Sequence, residues 1–561
     1  MSRQFSHGVY LELNLNEPVR QGKFPFMRSK SPLEVFRVIE KAGKDNKIRG
    51  IILNIGNFSG STEYLWELRN AITKFKSSGK KICAFLSDAD IDNYCLASVA
   101  DKIVMDEQGT LGLFGYAWGR SYVKHSLEKL GIGVREMRYF KYKSSAETYT
   151  RDSLSEADLK QYGEYLDDIF NLTRSTLMSA RNWTDEEFDS IINREFIYSA
   201  KSAQSRGLVD RVGRKDAVTE VIKEIEGNEV KHFVLYGDSV SSLTGEKTDY
   251  NPPGAGGLFK KPPVIAVVYA NGNTDLEKGM AAWSLSKTLR ELAEKKRVKA
   301  IVLRINSRGG SAEAADYLAE AVRYAKQKKP VAVSMGQVAA SGGYWTAMDA
   351  SHITASPYTI TGSIGVIASW FYDNGFGNKL GFSTDTIQRG LHSDLFSGIV
   401  IPHRNMTADE EERYRVYIMD MYNVFIAKVA GARGMEIEKV EEAAQGRVFS
   451  GIGALNAGLI DSLGGICDAI DTARTLAKIP EGRSVVYREY PKPKFTEKLL
   501  SYLRPSEAFF GINGGKAGTV ELFANIRYRL ERNGQVMPIL PLELFGNFSS
   551  RTDPFSAGIL F

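Results

Sequence analysis

At 561 residues the chain is about three to four times the length of a typical domain, so it holds at least two hydrophobic cores. With 43% hydrophobic, 11% aromatic and 25% charged residues it can bury ample apolar surface, which excludes disordered, collagen-like and coiled-coil architectures. The net charge of +6, from 73 basic and 67 acidic residues interspersed without long blocks, argues against a nucleic-acid-binding surface.

Along the chain, residues 1–10 lack the apolar core and small-residue cleavage site of a secretory signal. Ser31-Pro32-Leu33-Glu34 combines a cap hydroxyl, proline at the first helical position and glutamate three residues on, which predicts a helix start. A buried strand is expected at 50–55. Cys83, Cys95 and Cys467 are too few for a disulfide scaffold and form no Cys/His cluster at zinc spacing, so free buried thiols and no metal are expected. Residues 240–263, rich in glycine and proline, read as a linker. The apolar stretch 264–270 is typical of the longest ones and falls far short of the ~18 residues of a spanning helix. Strands are expected at 300–305 and 330–335, separated by a helix with Leu318, Ala321, Val322 and Ala325 on one face. Beyond residue 494, helices are expected near 496–503 and 519–531, before an irregular tail.

An internal duplication sets the architecture. Lys47-Ile-Arg-Gly-Ile-Ile-Leu-Asn-Ile55 lies 250 positions before Arg297-Val-Lys-Ala-Ile-Val-Leu-Arg-Ile305. The register persists: Gly60-Ser61 falls on Gly310-Ser311, Tyr94 on Tyr344 and Gly112-Leu-Phe-Gly115 on Gly362-Ser-Ile-Gly365. Gly207-Leu-Val-Asp-Arg-Val-Gly213 matches Gly458-Leu-Ile-Asp-Ser-Leu-Gly464 at an offset of 251. Alternating strands and helices in each repeat imply an α/β fold with largely parallel sheets, right-handed crossovers and outer helices. The expected organisation is a first repeat at 1–239, the linker 240–263, a second repeat at 264–493 and an extension at 494–561.

The chemistry concentrates in the second repeat. Ala339-Ala-Ser-Gly-Gly-Tyr-Trp345 follows a strand and precedes a helix, so Ser341 stands on a tight turn that suits a nucleophile. The alternative is a serine that caps the helix. Gly309, Gly310 and Gly342 offer backbone that a reacting group can approach, and amides for developing negative charge, although Gly309-Gly310 can equally be an ordinary strand-to-helix turn. A serine nucleophile needs a base, and His7, His125, His232, His352, His392 and His403 form no recognisable triad. A buried lysine can serve if its pKa falls from ~10.4 toward neutrality. Lys141 and Lys143, among aromatic and small residues in Tyr139-Phe-Lys-Tyr-Lys-Ser-Ser-Ala146, have surroundings able to desolvate them. Tyr344, Trp345, Trp370 and Phe371 either line an apolar cleft or belong to the core.

These motifs resemble the signal peptide peptidase A, or protease IV, serine proteases of the S49 type in their long tandem form, over roughly residues 8–490. The resemblance makes Ser341 the nucleophile, Lys143 the general base, Ser363 in Thr361-Gly-Ser-Ile-Gly365 the residue that orients the lysine, and Gly309-Gly310 the glycine pair near the oxyanion site. It implies a tandem Clp protease/crotonase-like spiral of ββα units and a Ser/Lys endopeptidase without cofactor. Its substrates would be apolar, signal-peptide-like segments. It further implies a homo-oligomer, with a tetramer expected, and peripheral membrane association in a bacterial envelope or a plastid. Ile91 holds the first-repeat position of Ser341, and His392 or Ser393 that of Lys143, so neither repeat carries both partners. Arg308 stands where the family has proline. Two rival readings are a crotonase-like acyl-CoA hydratase or hydrolase, which has no need of Ser341, Ser363 and Lys143 together, and a non-enzymatic peptide-binding scaffold.

Overall fold

Strands buried on both faces of a parallel sheet read as unbroken apolar runs rather than alternations. Ile48–Ile55, Val264–Asn271, Val298–Ser307 and Val331–Ala340 carry such runs at 51–53, 264–270, 300–303 and 331–333, and each strand is almost wholly buried along its length. The computed structural model describes residues 9–15, 31–46, 48–56, 60–227, 234–235, 262–491 and 537. Most of the linker expected at 240–263, and the helices expected at 496–503 and 519–531, lie outside the described residues.

Each repeat builds one sheet. Among the described residues the first has seven strands, with Lys102–Gly112, Lys81–Asp90, Ile48–Ile55 and Val9–Asn14 side by side in parallel. The second has eight, with Val331–Ala340, Val298–Ser307, Val264–Asn271 and Val486–Tyr490 in the same relation. The predicted helix start at Ser31 is a full capping box on Pro32–Lys44, with the Ser31 hydroxyl and the Glu34 carboxylate each accepting a backbone N–H. Cys83 and Cys95 are free and buried, and burial pushes both thiols up to about 12, so they act as core filler.

The strand expected at 330–335 runs five residues further, to Ala340. Its pairing with Val298–Ser307 slips between Met335 and Ala339. Gly336 makes room for the slip, since a Cβ there would stand 3.2 Å from the Ile305 carbonyl oxygen. Beyond it, residues 338–340 pair with Ile360–Gly362, which brings Ser341 beside the segment that contains Ser363.

The repeats interlock. Strand Ile132–Met137 of the first pairs antiparallel with Ala368–Asp373 of the second. Helix Glu156–Arg181 packs Tyr162, Tyr165 and Ile169 on Val338, Tyr358, Ile360 and Val448. One core cluster joins first-repeat residues such as Leu53 and Leu68 to Ile265, Val267, Val302 and Ala332 of the second sheet. Within this interface Arg304 is fully buried. Its guanidinium donates to Glu67 Oε1 at 2.8 Å, Ser334 Oγ at 2.7 Å and Glu63 Oε1, all but Ser334 on the first-repeat helix Thr62–Lys76.

Removing one partner of a buried ionic cluster leaves an uncompensated charge. Arg304→Met should therefore destabilise the protein by ~3–5 kcal/mol, read as a lower denaturation midpoint. Burial raises the Glu63 carboxyl from 4.5 to about 7, against the pull of Arg304. Folding thus favours its protonated form, a contribution complete below pH 4.5 and lost as pH rises through about 7. Glu63→Gln should remove that slope from the stability–pH profile and cost less at neutral pH than Arg304→Met.

Candidate active site

Ser341 sits between strand Val331–Ala340 and helix Gly342–Ala347 with φ 58° and ψ −115°, a left-handed conformation that costs a non-glycine residue ~1–3 kcal/mol. Its N–H donates to the Gly362 carbonyl at 2.8 Å, tying the turn to the next strand. Close packing of the helix start demands glycine at 343, where a Cβ would stand 2.6 Å from the Ser307 carbonyl oxygen. The Ser341 side chain makes no capping bond to the helix. Its Oγ instead receives a hydrogen bond of 2.6 Å from Lys143 Nζ.

Lys143 lies in the loop after strand Ile132–Met137 and crosses from the first repeat into the second. Besides Ser341, its Nζ donates to the Ser363 carbonyl at 2.8 Å and Ser363 Oγ at 3.0 Å. Ser341, Lys143 and Ser363 are 0%, 1% and 1% exposed. Burial disfavours an ammonium relative to a neutral amine, and these three oxygen partners are all uncharged. Ser363 also adopts a left-handed conformation, φ 50°, and its N–H donates to the Arg447 carbonyl at 2.6 Å. Lys141 points outward, its Nζ 5.3 Å from the centre of the Tyr142 ring. His392 pairs with Glu410 at 2.9 Å, while His125, His352 and His403 bond Glu128, Ser462 and the Ser397 carbonyl; His7 and His232 lie outside the described residues.

The glycine pair meets the Ser341 turn from the other side. Thr274 bridges in parallel to Gly310: its N–H donates to the Gly309 carbonyl at 2.9 Å and its carbonyl accepts from the Ser311 N–H at 2.8 Å. That pattern turns the Gly310 N–H away from Thr274. The Gly309 N–H is engaged by Ser307 Oγ at 3.2 Å. A Cβ on Gly342 would stand 3.3 Å from Gly310 N and 3.2 Å from Gly309 Cα, so these backbones converge beside Ser341. Gly310, at φ 156°, has no space for a side chain, since a Cβ would lie 2.3 Å from the Thr274 carbonyl oxygen. Arg308 is buried and its Nε donates to Asn273 Oδ1 at 2.9 Å. Tyr344, Trp345, Trp370 and Phe371 are all core residues.

Sequence reasoning missed the floor beneath Lys143. Gln445 carbonyl accepts from the Tyr142 N–H at 2.8 Å, and a Cβ on Gly446 would stand 2.5 Å from Lys143 Cβ. An isolated Gln-Gly pair 300 residues away carries no local signal of that role. At the corresponding first-repeat turn, Asp90 caps the helix Ile91–Ala97 and the Asp92 carboxylate accepts from Thr62 Oγ1 at 2.8 Å and Tyr116 OH at 2.6 Å, with Ile91 in the place of Ser341. Among the described residues no helix is long and apolar enough to cross a membrane, and no group of three or more His, Cys, Asp or Glu could hold a metal ion.

The family description of peptidase family S49 matches residues 74–229 and 323–480, together more than half of the chain, and that of the Clp protease matches 273–353. The chloroplastic serine protease SPPA of Arabidopsis thaliana is 32% identical over 461 residues, covering 81% of this chain and 67% of that protein. Protease 4 of Salmonella typhi is 30% identical over 487 residues, 83% of this chain and 75% of its own. Protease 4 of Haemophilus influenzae is 28% identical over 496 residues, 85% and 77% respectively.

Gly446 has φ 79°, and any side chain there would press on Lys143. Gly446→Ala should displace the lysine and slow labelling of Ser341 by a fluorophosphonate by about tenfold or more, with the overall fold retained by circular dichroism.

Proposed function

This chain belongs to peptidase family S49 and is a serine protease with a Clp protease-like fold, and we propose that it is a Ser/Lys endopeptidase whose dyad is Ser341 and Lys143. The observation that carries this reading is the buried 2.6 Å contact between Lys143 Nζ and Ser341 Oγ. A neutral amine has two N–H donors and one lone pair. Once the amine is neutral and its two donors are directed at the Ser363 carbonyl and Oγ, its lone pair faces Ser341, whose hydroxyl then donates across the same 2.6 Å.

In the reaction Lys143 takes the proton of Ser341 Oγ as that oxygen attacks the scissile carbonyl carbon. The carbonyl oxygen becomes an oxyanion, received by the amides of Gly310 and Gly342, while Gly309 keeps the approach free of side chains. The Lys143 ammonium then protonates the leaving amine nitrogen as the C–N bond breaks, leaving an acyl ester on Ser341. Water, deprotonated by the same amine, attacks the ester, and the proton returns to Oγ as the carboxylic product departs. Ser363 orients the amine. The first repeat, 1–239, donates the base and the second, 264–493, the nucleophile and amides. The substrates are apolar peptides of the kind cleaved signal peptides provide, as the family resemblance implies.

We also infer a homo-oligomer, with a tetramer as the expected size. Helix Ala408–Arg433 is the repeat counterpart of Glu156–Arg181, which buries Tyr162 and Tyr165 on the second repeat. On Ala408–Arg433, Val416, Tyr417 and Val424 stay exposed, next in sequence to a segment that also exposes Ile387, Leu391, Phe396 and Ile399. A second copy's first repeat suits that apolar face.

Ser341→Ala and Lys143→Met should each abolish hydrolysis of short apolar peptide esters, and the double variant should be no worse than either, because the two act as one unit. Exposed Lys141→Met should retain near-normal turnover. Full turnover by Lys143→Met would overturn the dyad. Light scattering should report a particle several times the mass of one chain, and Tyr417→Glu should shrink it; a monomeric wild type would overturn the assembly.

A further inference from the structure

The loop that bears Lys143 is short of regular structure, yet an amine must be held to a fraction of an ångström for proton transfer. The carbonyls of the residues on either side of the lysine, Tyr142 and Ser144, are each gripped by a buried side chain of the first repeat. Arg120 donates from Nη1 to the Ser144 carbonyl at 2.9 Å and from Nη2 to Ser144 Oγ at 3.3 Å. Gln161 Nε2 donates to the Tyr142 carbonyl at 3.2 Å. Its Oε1 accepts from the Val448 N–H at 3.0 Å, on the strand that pairs with Ile360–Gly362 immediately before Ser363. One amide thus bridges the base loop of the first repeat to the strand beside Ser363 in the second.

Arg120 and Gln161 are in turn locked together. Asp158 takes a contact of 3.0 Å from Arg120 Nη1 on one oxygen and a hydrogen bond of 2.6 Å from Gln161 Nε2 on the other. Glu147 lies 3.6 Å from Arg120 Nη1 and pairs with Arg138. The Arg120, Glu147 and Asp158 side chains have no exposed surface. Removing three charges from water is costly and does not by itself stabilise a fold, so its use here is geometric specificity.

Resting on the Ser/Lys reading above, we propose that Arg120 and Gln161 are positioning residues that hold the carbonyls of Ser144 and Tyr142 and thereby aim Lys143 Nζ at Ser341. They act through Lys143 and touch no reacting atom. A merely structural role would leave the ionisation of the base unchanged once the protein is folded. A positioning role would not, because a lysine released from its buried shelf regains water and holds its proton more tightly.

The test uses the full-length protein and a short apolar peptide ester. Gln161→Met keeps the side-chain volume and removes both donors; Arg120→Lys keeps the charge and removes the fork, so that the cluster stays neutralised. In variants that retain the wild-type thermal transition, kcat should fall about tenfold or more with KM unchanged, and the acid limb of the kcat/KM profile should move to higher pH. Wild-type kcat and an unmoved acid limb in folded Gln161→Met would overturn the proposal. Lys143→Met, run alongside, separates the two readings: if it is inactive while Gln161→Met is normal, only the positioning role fails, and if it is active the dyad itself fails.

Discussion

The proposed chemistry depends on one contact, the 2.6 Å hydrogen bond between Lys143 and Ser341, whose partners stand 198 residues apart and come from different repeats. An amine can accept a hydroxyl proton near neutrality only where burial disfavours its charge, and burial within one small loop is hard to achieve. Inserting the loop of one repeat into the body of the other solves that problem. The antiparallel pairing of Ile132–Met137 with Ala368–Asp373 and the packing of Glu156–Arg181 on Tyr358 and Ile360 carry the loop there.

Backbone strain gathers at the same place. Ser341, Ser363 and Gln445 are left-handed non-glycine residues, and Gly309, Gly310 and Gly446 share the positive-φ region around them. Each strained serine is held by strong backbone bonds: Ser341 N–H to Gly362 and Ser363 N–H to Arg447. Such conformations persist only where the surroundings over-determine them, and here two sheets and a bend at Gly336 do so. The strained turn stands the Ser341 hydroxyl clear of its own helix and toward the lysine.

The two repeats share a sheet architecture and differ at the positions of Ser341 and Lys143. The two sheets follow the same strand order, yet the first-repeat turn is an ordinary capped helix start in which Ile91 replaces the serine and Asp92 is tied to Thr62 and Tyr116. In the second repeat His392 or Ser393 stands at the position of Lys143, and His392 is bound to Glu410. Arg304, buried against Glu63 and Glu67, links the second sheet to the first-repeat helix Thr62–Lys76.

Much of this was readable along the chain. Apolar runs identified the strands, the offset of 250 identified the duplication, the Ala-Ser-Gly-Gly turn and the Lys-Tyr-Lys loop drew attention to Ser341, Lys141 and Lys143, and only the family resemblance singled out Lys143 and added Ser363. The strand and turn signals are local, set by periodicity and by backbone conformations that only certain residues adopt. The continuation of the strand past Met335 was not legible, because Gly336 reads as a break and pairing with Ile360–Gly362 overrides it. Nor were the engaged amide of Gly309, the Gly446 floor, or the grip of Arg120 and Gln161 on the lysine loop. Each depends on partners remote in sequence whose identity no spacing rule encodes. Composition and pattern determined which elements form and which residues could react; only the packing of one repeat into the other decided which of them meet, because hydrogen-bond geometry is fixed by three-dimensional neighbours and not by order along the chain.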